Sequence, residues 1–194
     1  MIESYLSLLY QKHIGEPSAK IIGKALSPNQ ITFVSCLLGV LVLPALVWGQ
    51  ALIATILLLL SGYLDTLDGT VARLKGKSSP VGAVMDIVAD RIVEFAVILG
   101  LFAIDPIKRG WIAMFMLGSC FICVTSFLVV GIFIPNQSQK SFHYNPGLIE
   151  RAEAFCFFIL MIWIPQLFLV LGIIFTILVF LTSFLRIKQF IRLA

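Results

Sequence analysis

Runs of about twenty residues that carry almost no charge recur along this chain, and their length restricts the fold more than any other feature. A helix crosses the hydrocarbon core of a bilayer with roughly 20 mostly apolar residues, and its backbone polar groups are then satisfied internally. Six segments meet the length requirement. They run from about Gln30 to Trp48, Ala51 to Leu74, Val81 to Ile104, Gly110 to Ile134, Gly147 to the break at Trp163-Ile164-Pro165, and from there to about Phe190. The residues are 60% hydrophobic and 12% charged, where soluble domains carry about 25% charge. A water-soluble core of 194 residues could not hide so much apolar surface. The expected fold class is an all-α, multi-pass integral membrane protein with six transmembrane helices in residues 30–194.

Residues 1–29 are expected to form an amphipathic juxtamembrane segment. Glu3, Lys12, Glu16, Lys20 and Lys24 interrupt Leu6, Leu8, Leu9, Ile14, Ile21 and Ile22, which leaves no apolar run long enough for a signal peptide. Interleaved charge of this kind suits a helix lying in the membrane surface, broken near Gly15-Glu16-Pro17.

Basic residues set the expected orientation. With a cytoplasmic N-terminus, the loop of Lys75 and Lys77, the loop of Lys140 and the tail of Arg186, Lys188 and Arg192 all face the cytoplasm. Only Lys108 and Arg109 fall on the far side, so 12 of the 14 basic residues lie at or near the cytoplasmic face and both termini point inward. The net charge of +4 is explained by this topology, and no aromatic-plus-basic nucleic-acid module appears. Cys120 and Cys123 have C-x-x-C spacing, but they sit inside an apolar segment with no strand or exposed turn beside them, so they read as small helix-packing residues.

Against this apolar background, Asp65, Asp68, Asp86 and Asp90 stand out. A charge at the centre of a membrane helix costs about 2.5–3.5 kcal/mol even on the lenient insertion scale. Arg73 and Arg91 can offset only two of the four acids. Asp65 and Asp68 are spaced i, i+3, and Asp86 and Asp90 are spaced i, i+4, so each pair shares a helix face. The short link from Lys75 to Pro80 makes the two helices antiparallel neighbours, and the acidic faces can meet near the cytoplasmic interface. Hard oxygen donors gathered in this way suit Mg²⁺, Mn²⁺ or Ca²⁺. Gly69, Ala72 and Gly82 are interleaved with the carboxylates, and their lack of bulk leaves room for an extended ligand.

Together these residues spell D-x-x-D-G-x-x-A-R-x8-G-x-x-x-D-x-x-x-D from Asp65 through Asp90. This resembles the signature of the CDP-alcohol phosphotransferase (CDP-alcohol phosphatidyltransferase) family. Leu26-Ser27-Pro28-Asn29-Gln30-Ile31-Thr32 resembles the segment that opens the family's first span, and Gly147-Leu148-Ile149-Glu150-Arg151-Ala152-Glu153 resembles the start of its fifth. The resemblance implies an enzyme of phospholipid biosynthesis. It would move a phosphatidyl group from CDP-diacylglycerol, or a related CDP-lipid, onto a small alcohol with release of CMP. By position, Asp65, Asp68 and Asp86 would hold two divalent ions, Mg²⁺ or Mn²⁺, that bind the pyrophosphate. Asp90 would also face the metals and act as general base. Gly69, Ala72, Arg73 and Gly82 would join Asp65 and Asp68 in lining the CDP pocket. Membrane lipid surrounds such an enzyme, nucleic acid is no partner, and a homodimer is among the assemblies open to it.

Members that use phosphorylated acceptors carry basic residues at the cytoplasmic end of the fourth span. This chain reads Val130-Gly131-Ile132-Phe133-Ile134-Pro135 there, which points away from a phosphorylated acceptor. Arg91 and Arg151 are the candidate acceptor-binding residues, although Arg151 beside Glu150 and Glu153 reads equally as a structural ion pair. Lys140 and His143 are further sources of positive charge that also read as ordinary loop residues. The competing reading is a divalent-cation transporter or channel, since intramembrane aspartates also build ion pathways. It accounts for the carboxylates but not for Gly, Ala and Arg at fixed spacing.

Overall fold

The computed structural model describes residues 15–133 and 148–193, and every regular element among them is helical. The expected surface segment before Gly15, and Lys140, His143 and Gly147, lie outside the described residues. The described chain divides into two compact units, with the boundary in the chain between Gly100 and Leu101.

In the first unit, α1 (Glu16–Ala25), α2 (Pro28–Val47), α3 (Ala51–Leu74) and α4 (Pro80–Ala103), the last as far as Gly100, follow one another closely. Local chemistry sets their ends. Ser27 caps α2: its Oγ accepts from Gln30 N at 3.4 Å, while Gln30 Oε1 accepts from Ser27 N at 2.9 Å. Such a box contributes about 1 kcal/mol, and Pro28 at the first helical position is preset for the turn. At the far end Gly49 adopts φ +72°, and Gln50 N reaches back to Ala45 O at 2.8 Å. The same closure ends α3, where Gly76 has φ +61° and Lys77 N donates to Ala72 O at 2.9 Å. Ser79 then opens α4 by accepting from Gly82 N at 3.1 Å. Two tight reversals therefore fold α2, α3 and α4 back along one another.

The packing is close. Ser35 Oγ on α2 donates to Ser61 O on α3 at 2.7 Å. A Cβ at Gly39 would overlap Val93 of α4 and come within 2.9 Å of Ser61 Oγ, so glycine is what admits α4 here. Helix α1 lies against α3, where Ala19, Ile31, Leu67 and Val71 form a buried cluster with Ile22, Leu26, Tyr63 and Leu64 packed against it. Glu16, Lys20 and Lys24 face outward, as an amphipathic helix requires, and Ile21 is exposed beside them.

The second unit holds α5 (Pro106–Phe133), α6 (Arg151–Trp163), a 3₁₀ turn at Pro165–Leu167, and α7 (Phe168–Leu193). Buried Arg109 donates to Leu101 O at 2.8 Å and lies 4.6 Å over the Phe168 ring. Arg186 of α7 donates to Cys123 O at 2.9 Å and Ser126 Oγ at 3.1 Å on α5. Phe158 of α6 packs on Phe175 of α7 at 5.6 Å between ring centroids.

The expectation of six spans is corrected. Among the described residues, 4 helices are long and apolar enough to cross a membrane: Pro28–Val47, Ala51–Leu74, Pro106–Phe133 and Pro165–Arg192. Helix α4 has 24 residues, but Asp86, Asp90, Arg91 and Glu94 crowd its sequence with charge. Helix α6 has only 13 residues, and at about 1.5 Å per residue it falls well short of the roughly 30 Å core. The protein is an all-α, multi-pass integral membrane protein with four such helices among the described residues.

Candidate metal centre

The motif aspartates occupy the facing sides of α3 and α4 within the first unit. The Schellman turn at Gly76 and the Ser79 cap fix the reversal that brings these sides together. Asp65, Asp68 and Asp86 each offer an oxygen, and these three atoms lie within 4.8 Å of one another. Asp68 is buried and accepts a hydrogen bond from Thr32 Oγ1 on α2. Asp65 and Asp86 are half-buried, so the cluster opens to one side.

The other residues singled out from the sequence surround this cluster unequally. Asp90 lies one turn beyond Asp86 on α4, with Oδ2 3.7 Å from Arg91 Nη2. Arg91 itself makes a short ion pair of 2.6 Å with Glu94. Gly69 leaves a gap on α3 that the Arg73 guanidinium borders: a Cβ there would meet Arg73 Nη1 at 3.4 Å. Arg73 Nη2 donates to Thr70 Oγ1 at 3.1 Å, and half-buried Ala72 sits in the last turn of the same helix. Gly82 lies in the first turn of α4, where a Cβ would come within 3.4 Å of Asn29 Oδ1. An open groove of about 440 Å³ adjoins this point, lined by Leu26, Asn29, Gln30, Phe33, Val34 and Met85. Arg151 belongs to the second unit, where its guanidinium lies 5.4 Å over Phe155.

Two side chains join the site without having been assigned a role from the sequence. Thr32 stood in the segment that resembles the opening of the first span, with no role attached to it, and its partner is 36 positions away. Glu94 carried a readable signal, since it stands i+3 from Arg91 and i+4 from Asp90.

Chemically, three carboxylate oxygens this close repel one another and gain from a shared cation. Hard oxygen ligands on two rigid helices fit a small divalent ion. The guanidinium of Arg73 beside a side-chain gap adds a donor surface suited to phosphate.

Residues 25–188 match the sequence model of a family described as CDP-alcohol phosphatidyltransferase. The inner membrane protein YnjF of Escherichia coli is 32% identical over 169 residues, which cover 84% of this chain and 82% of that protein. The phosphatidylinositol phosphate synthase of Corynebacterium glutamicum is 31% identical over 142 residues. That alignment covers 72% of this chain and 64% of the synthase, less than two thirds of the relative's length. Among solved structures, a phosphatidylinositol phosphate synthase of Mycobacterium tuberculosis with CDP-DAG bound is similar with a TM-score of 0.75 and 20% identity, covering 91% of this chain and 93% of that one. A second structure of that synthase, in complex with manganese and citrate, gives a TM-score of 0.74 at 19% identity, covering 91% and 88%. At such identities these two likenesses concern the fold.

Proposed function

Because the chain belongs to the CDP-alcohol phosphatidyltransferase family, we infer that the aspartate cluster is where it carries out that family's reaction. The protein is a metal-associated transferase of phospholipid biosynthesis. It transfers a phosphatidyl group from CDP-diacylglycerol to an alcohol acceptor. The observation that carries the assignment of the site is the approach of Asp65, Asp68 and Asp86 to within 4.8 Å.

We assign Asp65, Asp68 and Asp86 to hold two divalent ions, Mg²⁺ or Mn²⁺, and Asp90, one turn along α4 from Asp86, to act beside them. An ion held by these carboxylates would supply the positive charge that neutralises the pyrophosphate and stabilises the departing nucleotide. Arg73, over the gap left by Gly69, takes phosphate oxygens, while Ala72 and Gly82 leave room for the nucleotide. The apolar groove beside Gly82 and Met85 suits the lipid end of the donor. As the acceptor hydroxyl attacks the phosphatidyl phosphorus, the bond to CMP breaks and Asp90 takes the hydroxyl proton. The excess of basic residues at one face supports cytoplasmic termini, with the site near the cytosolic pool of CMP.

The acceptor is a small alcohol. Relatives named phosphatidylinositol phosphate synthase place inositol phosphates among the compounds to try, although Val130 to Phe133 bring no basic residue to the end of α5. The test is CMP release from CDP-diacylglycerol by the purified chain, with inositol, inositol 1-phosphate, glycerol 3-phosphate and serine offered in turn. Release should require one of these acceptors, stop with excess chelator and resume on addition of Mg²⁺ or Mn²⁺. Full turnover in excess chelator would remove the metal assignment.

A further inference from the structure

Helix α4 carries acids at Asp86, Asp90 and Glu94, a stripe with a spacing of four, and Arg91 stands beside the last two. The family motif ends at Asp90, so Glu94 is left without a task. It is also an expensive residue to keep there. Its side chain is 16% exposed, and buried Val93, Ala96, Val97 and Ile98 surround it in sequence.

The geometry around Arg91 is asymmetric. Nη1 is 2.6 Å from Glu94 Oε2, a short charge-assisted hydrogen bond. Nη2 is 3.7 Å from Asp90 Oδ2, within ion-pair range but beyond hydrogen-bond reach. Arg91 Nε is buried and has no hydrogen-bond partner among the described residues. The guanidinium therefore has a donor to spare and stands between two carboxylates, and its grip is on Glu94 alone at hydrogen-bond distance. Released from Glu94, it would gain by turning its fork onto Asp90, because a planar guanidinium engages both oxygens of a carboxylate. Those are the oxygens that Asp90 needs for its work.

We propose that Glu94 is a positioning residue that holds the Arg91 guanidinium off Asp90 and so keeps the Asp90 carboxylate available to the reaction. The proposal rests on the reading of Asp90 as a working group of the site. It gives Arg91 a partner inside the protein in place of the acceptor.

The test uses the full chain in lipid nanodiscs with the variants Glu94→Gln, Arg91→Gln and the double variant. Three quantities are read: kcat and KM for CMP release with the four-alcohol mixture, CDP-diacylglycerol affinity, and Mn²⁺ affinity by calorimetry without substrate. Glu94→Gln should lower kcat on the order of tenfold, the size typical of coupling between contacting charged side chains. Adding Arg91→Gln should restore most of that loss, because no guanidinium then remains to occupy Asp90. Restoration in kcat with Mn²⁺ affinity unchanged supports the proposal with Asp90 as base. Restoration of a loss in Mn²⁺ affinity supports it with Asp90 as a ligand, so failure of the base assignment is seen separately. A Glu94→Gln enzyme with normal kcat and Mn²⁺ affinity overturns the proposal. A defect that Arg91→Gln leaves in place overturns it too, and marks Glu94 as structural. A double variant with an acceptor KM raised beyond that of Glu94→Gln assigns Arg91 to the acceptor and also overturns it.

Discussion

Asp68 is buried and takes a hydrogen bond from Thr32 across the interface between α2 and α3. A hydroxyl that orients a metal-binding carboxylate typically matters 10–100-fold in metal affinity. Thr32→Val keeps the shape and removes only the donor, so the Mn²⁺ concentration giving half-maximal activity should rise by about 10–100-fold. An unchanged Mn²⁺ titration would separate Thr32 from the metal site. Asp90 offers a different contrast, between binding and chemistry. Asn at Asp65 or Asp86 should weaken both CDP-diacylglycerol binding and turnover, because those oxygens belong to the close cluster. Asp90→Asn keeps an oxygen donor but cannot accept the alcohol proton, so kcat should fall about 10²–10⁴-fold with donor binding largely retained. Equal losses of donor affinity in Asp65→Asn and Asp90→Asn would make Asp90 one more ligand.

At the scale of the element, the site depends on how closely three helices approach. A Cβ at Gly39 has no room between Val93 and Ser61, so Gly39→Ala should cost about 1–3 kcal/mol through forced shifts in a packed interface. Gly118 of α5 has nothing within 4 Å of its missing Cβ, and Gly118→Ala should leave the thermal unfolding midpoint in detergent nearly unmoved. Equal midpoints for the two variants would contradict the close approach of α2 and α4. Helix existence was legible because apolar runs and their punctuation agree: α3 runs from Ala51 to Leu74 as expected, with Gly49 and Gly76 marking both reversals. The meeting of Asp65, Asp68 and Asp86 was legible for the same reason, since a short link fixes which faces oppose, but Asp90, expected in the same pocket, is not among the three clustered residues. The count of spans was not. Apolar content around Asp86, Asp90, Arg91 and Glu94 hid how charged α4 is, and the short α6 borrowed apparent length from the residues before Arg151. The contact between Thr32 and Asp68 joins residues 36 positions apart, and no local pattern announces it.

For the whole molecule the question is which face of the membrane receives the site, and α3 provides the ruler. It is 24 residues long, about 36 Å at 1.5 Å per residue, and it is among the helices apolar enough to cross. Exposed Gln50 lies in the turn before it, and exposed Lys77 in the turn after it. The aspartates sit in the half of α3 that ends at Lys75, so the side that Lys77 faces is the side from which the site is reached. Basic residues crowd that side: Lys75 and Lys77 follow α3, and Lys24 ends α1, which packs on α3. Positive residues are retained in the cytoplasm. None of the native cysteines Cys36, Cys120, Cys123 and Cys156 is in a disulfide, so labelling needs a background in which they are replaced by serine or alanine. In intact cells or sealed vesicles of known orientation, Lys77→Cys should react with a membrane-impermeant maleimide from the cytoplasmic side alone. Gln50→Cys should react from the opposite side alone. Reversed labelling would put the metal site on the face away from the cytosol and defeat the orientation argued from charge. Labelling of both positions from one side would show that α3 does not cross, and the depth of Asp65 below the interface would then have to come from other helices.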